Sequence, residues 1–305
     1  MKVSIIGSTG FVGSSLIKKL ESSDYKILGI DSSKSVYDIK YDFILASISE
    51  LDSFPFDSLD GSDCIVYLAS SSNPIASKSL FHSEIIENNL AFVKFMERLV
   101  AYKFLRFIYI SSGGAIYSQH NLPPYNERSE LKPSSPYGIS KISNEFYLEL
   151  FAQDFNFQFS ILRPSNAYGP GQNYRNGLGV IPNFVKSIYS DRKITLFGEN
   201  VIRDFVYIDD LVRAIVKSIN SSSSGTFNVG SGEPTSIEFV VKYIEEVVCK
   251  EFIISNLPIR KTDLQGYYLD NTRANTILDW RPTTNIKDGI KNYIKWYKKT
   301  YLPLN

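Results

Sequence analysis

Tyr137 and Lys141, in Tyr137-Gly-Ile-Ser-Lys141, stand four residues apart where the pattern predicts a helix, which puts a phenol and an ammonium on one face. A phenol titrates near pKa ~10, too high for an efficient base at neutral pH. A neighbouring cation favours the phenolate, and each unit of depression corresponds to about 1.4 kcal/mol. Such a pair can act as a general base. Spacing alone says little in a chain with 20 tyrosines, and Tyr189 and Lys193 share it, though that pair spans a helix end and a new strand. Tyr137 differs in context. It follows an apolar run ending in Ser111-Ser112 and begins a helix introduced by Ser134-Ser135-Pro136.

The second feature with chemistry is Gly7-Ser-Thr-Gly10-Phe-Val-Gly13, between the first apolar run and the first helical pattern. Gly7 permits a tight turn, Gly10 lets the backbone approach a pyrophosphate, and Gly13 allows close helix–strand packing. A helix N-terminus there presents unpaired N–H groups and a positive dipole end to phosphates. Asp31 ends the second apolar run, where a carboxylate can accept both ribose hydroxyls and repel a 2′-phosphate. That favours NAD over NADP, although Lys34 offers a cation nearby, and Asp31 could instead initiate a turn with Ser32 and Ser33. The positive ring of NAD would add to Lys141 in favouring the phenolate.

The elements that must position these groups follow from periodicity. Candidate strands are Val3–Ile6, Lys26–Ile30, Phe43–Ala46, Cys64–Leu68, Arg106–Ile110 and Phe157–Leu162. Helices are expected over Phe11–Glu21, Ser83–Tyr102 and Pro136–Asp154. Nearly continuous apolar strands alternating with helices predict an α/β fold, a Rossmann-type doubly wound parallel sheet. After Arg163 the rhythm breaks at Pro164–Gly179, and helices follow near Ile181–Ser190, Asp209–Asn220, Ser236–Val248 and Ile286–Tyr301. The reading is a dinucleotide-binding domain over residues 1–163 and a smaller C-terminal α/β substrate domain over 164–305, with some segments returning to the first.

Bulk properties bound the partners. A 305-residue chain with 21% charged residues and a net charge of +1 gives no electrostatic reason to expect nucleic acid or an anionic membrane. An acidic ligand would need a local basic pocket. The two cysteines, Cys64 and Cys249, lack metal-ligand spacing and read as buried thiols of a reducing cytoplasm, without a Cys-rich zinc site. No apolar run reaches membrane-span length, and Met1–Ile6 is too short for a signal peptide. His82 and His120 have no metal-like companions and read as surface residues.

The chain resembles the extended short-chain dehydrogenase/reductases, specifically their nucleotide-sugar epimerase and dehydratase group. The resemblance runs through Gly7–Gly13, Leu68-Ala69, Asn88-Asn89, Ser111-Ser112, Tyr137–Lys141 and Leu162–Pro170, then Phe197-Gly198, Arg203–Asp210 and Phe227–Gly230. It implies that Tyr137 is the general base and Lys141 its electrostatic partner, also bonded to the nicotinamide ribose. It places Phe11, Val12, Ile48, Leu68, Ala69 and Asn89 around the cofactor and Pro164 beside the nicotinamide amide. It assigns the sugar diphosphate to Asn166, Arg203 and Arg260, and adds Val180 and Phe197 to the substrate pocket. Tyr267 matches a gate where a large side chain disfavours N-acetylated sugars, or is simply a packed aromatic. A homodimer through an intersubunit four-helix bundle is implied by the helices around Ser83–Tyr102 and Pro136–Asp154.

Departures from the family pattern narrow the reaction. Its active-site Ser or Thr would fall at Gly113, so Ser112 or a water must supply the hydroxyl, and Ser47 stands where many relatives carry an Asp near the adenine. Dehydratases of the group carry an Asp-Glu pair at Gly114 and Ala115; decarboxylating relatives carry a Glu, and relatives that epimerise beside the ketone a Cys, at Ala115. Glycine and alanine transfer no protons. What remains is redox chemistry at a sugar alcohol, with 4-epimerisation of a UDP-hexose favoured. A 4-ketoreductase or 4-dehydrogenase is the alternative, and Gly113 also raises that of a catalytically weak NAD-binding sensor or scaffold.

Overall fold

Short runs of Val, Ile, Leu and Phe, too brief for helices and apolar on both sides, assemble into one parallel sheet that sets the level of everything at its carboxyl edge. The computed structural model describes residues 1–34, 40–72, 81–118, 122–173, 179–259 and 265–302. In chain order the first half reads β1 (Lys2–Ile6), α1 (Phe11–Leu20), β2 (Lys26–Asp31), β3 (Asp42–Leu45), β4 (Ser62–Tyr67), α2 (Phe81–Glu84), a π-helical stretch Ile85–Leu90, α3 (Ala91–Leu99) and β5 (Phe104–Ile110). Then come α4 (Gly113–Ile116), α5 (Pro136–Phe155), β6 (Gln158–Pro164), β7 (Asn166–Tyr168), α6 (Val180–Ile188), β8 (Lys193–Phe197), β9 (Ile202–Arg203) and β10 (Phe205–Tyr207). The chain closes with α7 (Ile208–Ile219), β11 (Gly225–Val229), β12 (Thr235–Ser236), α8 (Ile237–Val248), β13 (Ile253–Leu257), α9 (Thr272–Leu278) and α10 (Ile286–Tyr301).

The sheet has seven strands in the order β11-β6-β5-β4-β1-β2-β3, all parallel. This is the doubly wound Rossmann architecture, and the order reverses at β1 and β4, the crevice where such folds bind ligands. Ile6 pairs with Ile30 and Tyr67, and Ile110 with Leu162, so Gly7, Asp31, Leu68 and Ser111 reach one rim. A core containing α1 and α7 residues, Leu16 and Leu211 among them, covers one face. An aromatic cluster with Phe92, Phe95, Phe107 and Tyr109 covers the other. Three two-stranded pairings, β7 with β10, β9 with β12 and β8 with β13, build the region after β6, while β11 returns to the main sheet beside β6.

The expected strands lie within two residues of those observed. The helix expected over Ser83–Tyr102 begins at Phe81, ends at Leu99 and contains the π-helical stretch, which no hydrophobic period announces. Cys64 is buried, but Cys249 is exposed. Cys249 caps α8 in the left-handed region at φ 56°, outside the apolar stripe that made it look buried.

Candidate active site

The loop after β1 turns at Gly7, where φ is +89° and a Cβ would lie 2.9 Å from the Ala69 amide nitrogen. A Cβ on Gly13 would lie 2.2 Å from the Gly7 carbonyl oxygen, so α1 can rest this closely on the turn only with glycine there. Gly10 is the N-cap of α1, no side chain caps it, and no acidic residue occupies the first turn. Its backbone N–H groups and dipole are therefore available to an anion. A Cβ on Gly10 would meet only the Gly7 oxygen, at 3.5 Å.

A cavity of about 510 Å³ opens on this loop and takes in Gly7, Gly10, Asp31, Ser47, Ile48, Leu68 and Ala69. Thr9, Ser33, Ser49, Ser70 and Ser71 line it as well. Sequence reasoning named Ser33 only as a turn partner of Asp31 and passed over the other four; the available signal was that each follows the carboxyl end of a strand. Asp31 accepts from the Thr9 backbone N–H at 3.0 Å and the Ser33 backbone N–H at 3.0 Å. The turn reading of Asp31 therefore holds, and two accepted bonds leave a carboxylate lone pairs for a ribose. Uncapped amides, glycines and a carboxylate at the rim suit a dinucleotide. Phe11 and Val12 open α1, half-buried.

Along the same rim, Ser112 caps α4 without using its hydroxyl as the cap. The Ser135 hydroxyl caps α5 by accepting from the Gly138 N–H at 3.2 Å, with Pro136 in its first turn, which sets Tyr137 at the start of the helix. A hydrogen bond from Ser112 to Tyr137 favours the phenolate, but burial outweighs it and pushes the Tyr137 phenol up to about 12. The depression expected from the neighbouring ammonium is thus not supplied by the protein alone. Lys141 donates to the Ile110 carbonyl at 3.0 Å, and its Nζ lies 5.5 Å from the centre of the Tyr137 ring. Burial lowers the ammonium to about 8 against the pull of Glu84 and Glu145. Asn89 lies outside the cavity lining; its amide donates to Ser140 O at 3.0 Å and Asn144 Oδ1 at 2.8 Å, tying the π-helical stretch to α5 beside Lys141.

A Cβ on Gly113 would sit 2.7 Å from Leu269 Cδ1 and 3.0 and 3.2 Å from the Arg163 and Pro164 carbonyl oxygens, so a hydroxyl-bearing side chain at 113 would have to displace the Leu269 tip and crowd two backbone oxygens. The turn is braced from below. Arg163 pairs with Glu145 at 2.5 Å and donates to Tyr117 Oη at 3.1 Å, and Tyr117 donates to Asn228 at 2.6 Å.

Asn166 opens β7, and its N–H donates to the Asp204 carbonyl at 3.1 Å, beside Arg203. The Arg203 guanidinium lies 5.9 Å from the Tyr267 ring centre. Tyr267 is only 2% exposed, and a Cβ on Gly114 would fall 2.6 Å from its hydroxyl. Burial and the Asp204 charge push the Tyr267 phenol above its ordinary range. Val180 begins α6 and Phe197 ends β8, both half-buried. Arg260 and His120 lie outside the described residues.

UDP-glucose 4-epimerase of Mycolicibacterium smegmatis is 28% identical, covering 98% of this chain and 99% of that protein. A dTDP-4-dehydro-6-deoxyglucose reductase of Escherichia coli is 31% identical, covering 96% of each. The crystal structure of Thermotoga maritima UDP-glucose 4-epimerase with UDP-glucose superposes with a TM-score of 0.92 at 30% identity, over 98% of this chain and 99% of that one. Residues 3–230 match the NAD-dependent epimerase/dehydratase family, and the chain belongs to it: an enzyme whose cofactor is NAD.

Proposed function

We propose that the protein is a nucleotide-sugar 4-epimerase, with a UDP-hexose as substrate and a transient 4-keto sugar between two transfers. The observation that carries the reading is Tyr137, hydrogen-bonded to Ser112 and sharing a helix face with Lys141, beside a turn whose Gly114 and Ala115 have no proton to give. Bound NAD supplies the hydride acceptor and donor. Tyr137 takes the proton of the C4 hydroxyl, Ser112 orients that hydroxyl, and Lys141 holds the nicotinamide ribose and favours the phenolate. The freed 4-keto ring turns over, and Tyr137 returns the proton when the opposite face is reduced. Holding ring and cofactor in contact can contribute ~7–11 kcal/mol. The segments after residue 164, apart from α7 and β11, which return to the main sheet, form the substrate lobe, where Asn166, Arg203 and Arg260 bind the diphosphate and Val180, Phe197 and Tyr267 enclose the sugar.

A homodimer fits the same reading. Phe81, Ile85, Ile139, Phe146 and Leu150 are exposed apolar residues on α2, the π-helical stretch and α5, the helices expected to pair between subunits. Among the described residues no helix is long and apolar enough to cross a membrane. Two free thiols suit a reducing cytoplasm, where we place the enzyme.

The test is a panel of UDP-, GDP-, CDP- and dTDP-sugars offered to the purified protein. Interconversion of UDP-hexose 4-epimers without added cofactor is the expected result; stoichiometric NAD(P)H consumption would sink it. The resemblance to the reductase favours that second reading, a 4-ketoreductase using the same residues. A binding-only scaffold would turn over nothing while retaining NAD.

A further inference from the structure

Glu84 ends α2, takes no part in the reaction above, and is only 3% exposed. Its Oε1 accepts from Asn88 Nδ2 at 3.0 Å, and its Oε2 has no hydrogen-bond partner among the described residues. An isolated buried carboxylate is unfavourable, so a compensating cation is to be sought close by. The hydrogen bonds lead toward one. Asn88 O accepts from Asn144 Nδ2 at 3.2 Å, the same amide reaches Tyr109 Oη at 3.2 Å, and Lys141 Nζ sits 5.1 Å from the Tyr109 ring centre. The widened turn after Glu84 turns Asn88 toward Glu84 and Ser71 while Asn89 binds α5.

The rings of Tyr137, on its own helix, and Tyr109, on β5, lie against Lys141, and the carboxylates within electrostatic reach of it are Glu145 on the same helix and Glu84 on α2, which packs against α5. Glu145 is already matched by Arg163, which contacts both of its oxygens. Among these groups Glu84 is the carboxylate left without a cation.

We propose that Glu84 is a positioning residue for the Tyr137–Lys141 pair, its buried carboxylate being the counter-charge that keeps Lys141 protonated and seated on the Ile110 carbonyl. This rests on reading Tyr137 and Lys141 as the reacting pair. The charge of Glu84 raises the titration of both groups, the ammonium by attraction and the phenol by repulsion. Removing it lowers both, so each limb of the pH profile moves toward acid.

The test compares wild type, Glu84→Gln and Glu84→Asp as full-length, NAD-loaded protein. The readouts are the pH dependence of kcat/KM and the titration of the Lys141 side chain, followed by NMR on 15N-labelled lysine. For Glu84→Gln we expect the profile to move toward acid by about one unit, a tenfold loss on its alkaline side, with the Lys141 titration moving in step. Glu84→Asp, which keeps the charge, should restore most of both. An unmoved Lys141 titration overturns the proposal, as does an equal loss at every pH in both variants, the signature of a merely structural role. If no nucleotide sugar is turned over yet the Lys141 titration still shifts, the 4-epimerase reading fails and the role of Glu84 stands.

Discussion

Gly13→Ala separates the structural from the binding work of the glycine loop. The new methyl would lie 2.2 Å from the Gly7 carbonyl oxygen and 2.8 Å from the Ser8 carbonyl atoms, all of them backbone. Ordinary contact needs ~3.5–4.0 Å, so the loop and α1 must part by more than about an ångström. Leu16, Ile17 and Leu20 anchor α1 in the core and resist that movement. Overpacking costs about 1–3 kcal/mol, offset by about 1 kcal/mol from the better helix propensity of alanine. The net loss is up to about 2 kcal/mol, a few degrees in Tm for a chain of this size. Gly10→Ala meets a single atom at 3.5 Å and projects toward the cavity, so it keeps the fold and obstructs the phosphates. Thermal unfolding of NAD-free protein and calorimetric titration with NAD decide the matter. Gly13→Ala should melt lower and bind weakly, whereas Gly10→Ala should melt within about 1 kcal/mol of wild type and lose NAD affinity tenfold or more. A Gly13→Ala protein that melts and binds like wild type would refute the packing argument, and two indistinguishable variants would refute the division of roles.

Tyr137→Phe should lower kcat by about 10²–10⁴ while NAD titrates as in wild type, since only the proton-transfer group is removed. Arg163→Met leaves Glu145 charged and buried, and denaturant unfolding should record a loss of about 3–5 kcal/mol. Phe146→Glu places a charge on the exposed face of α5; light scattering should then report monomers with an unchanged circular dichroism spectrum. A thiol reagent should label Cys249 in native protein and Cys64 only after denaturation, because Cys64 is enclosed and burial pushes its thiol up.

The sheet was legible because strands buried on both faces are apolar without interruption, and Val3, Ile65 and Ile108 need no partner's identity to declare themselves. The glycine loop was legible because its meaning depends on a strand before and a helix after. Short elements such as β7, β9 and β12 carry two or three residues each, too few for a period to emerge. The π-helical stretch escaped for a related reason: one wide turn hardly disturbs an apolar stripe. Glu84 could not be found at all, since a glutamate in a helical pattern reads as solvated and only packing shows it buried. Cys249 failed in the opposite direction, as an apolar neighbourhood in sequence ended one residue too soon in space.

β11 completes the sheet only after the chain has made an excursion of some sixty residues from β6. Arg106 reaches forward to Ser223 O, and Phe159 N–H to the Ser224 hydroxyl, sealing that edge. A polypeptide released at residue 163 would therefore present β6 as a bare apolar ladder, open to pairing with any extended chain. Gene fusion or splitting at that point should yield aggregates, whereas the excursion, clamped at both ends by adjacent strands, can diversify in its loops so long as α7, which covers one face of the sheet, is kept.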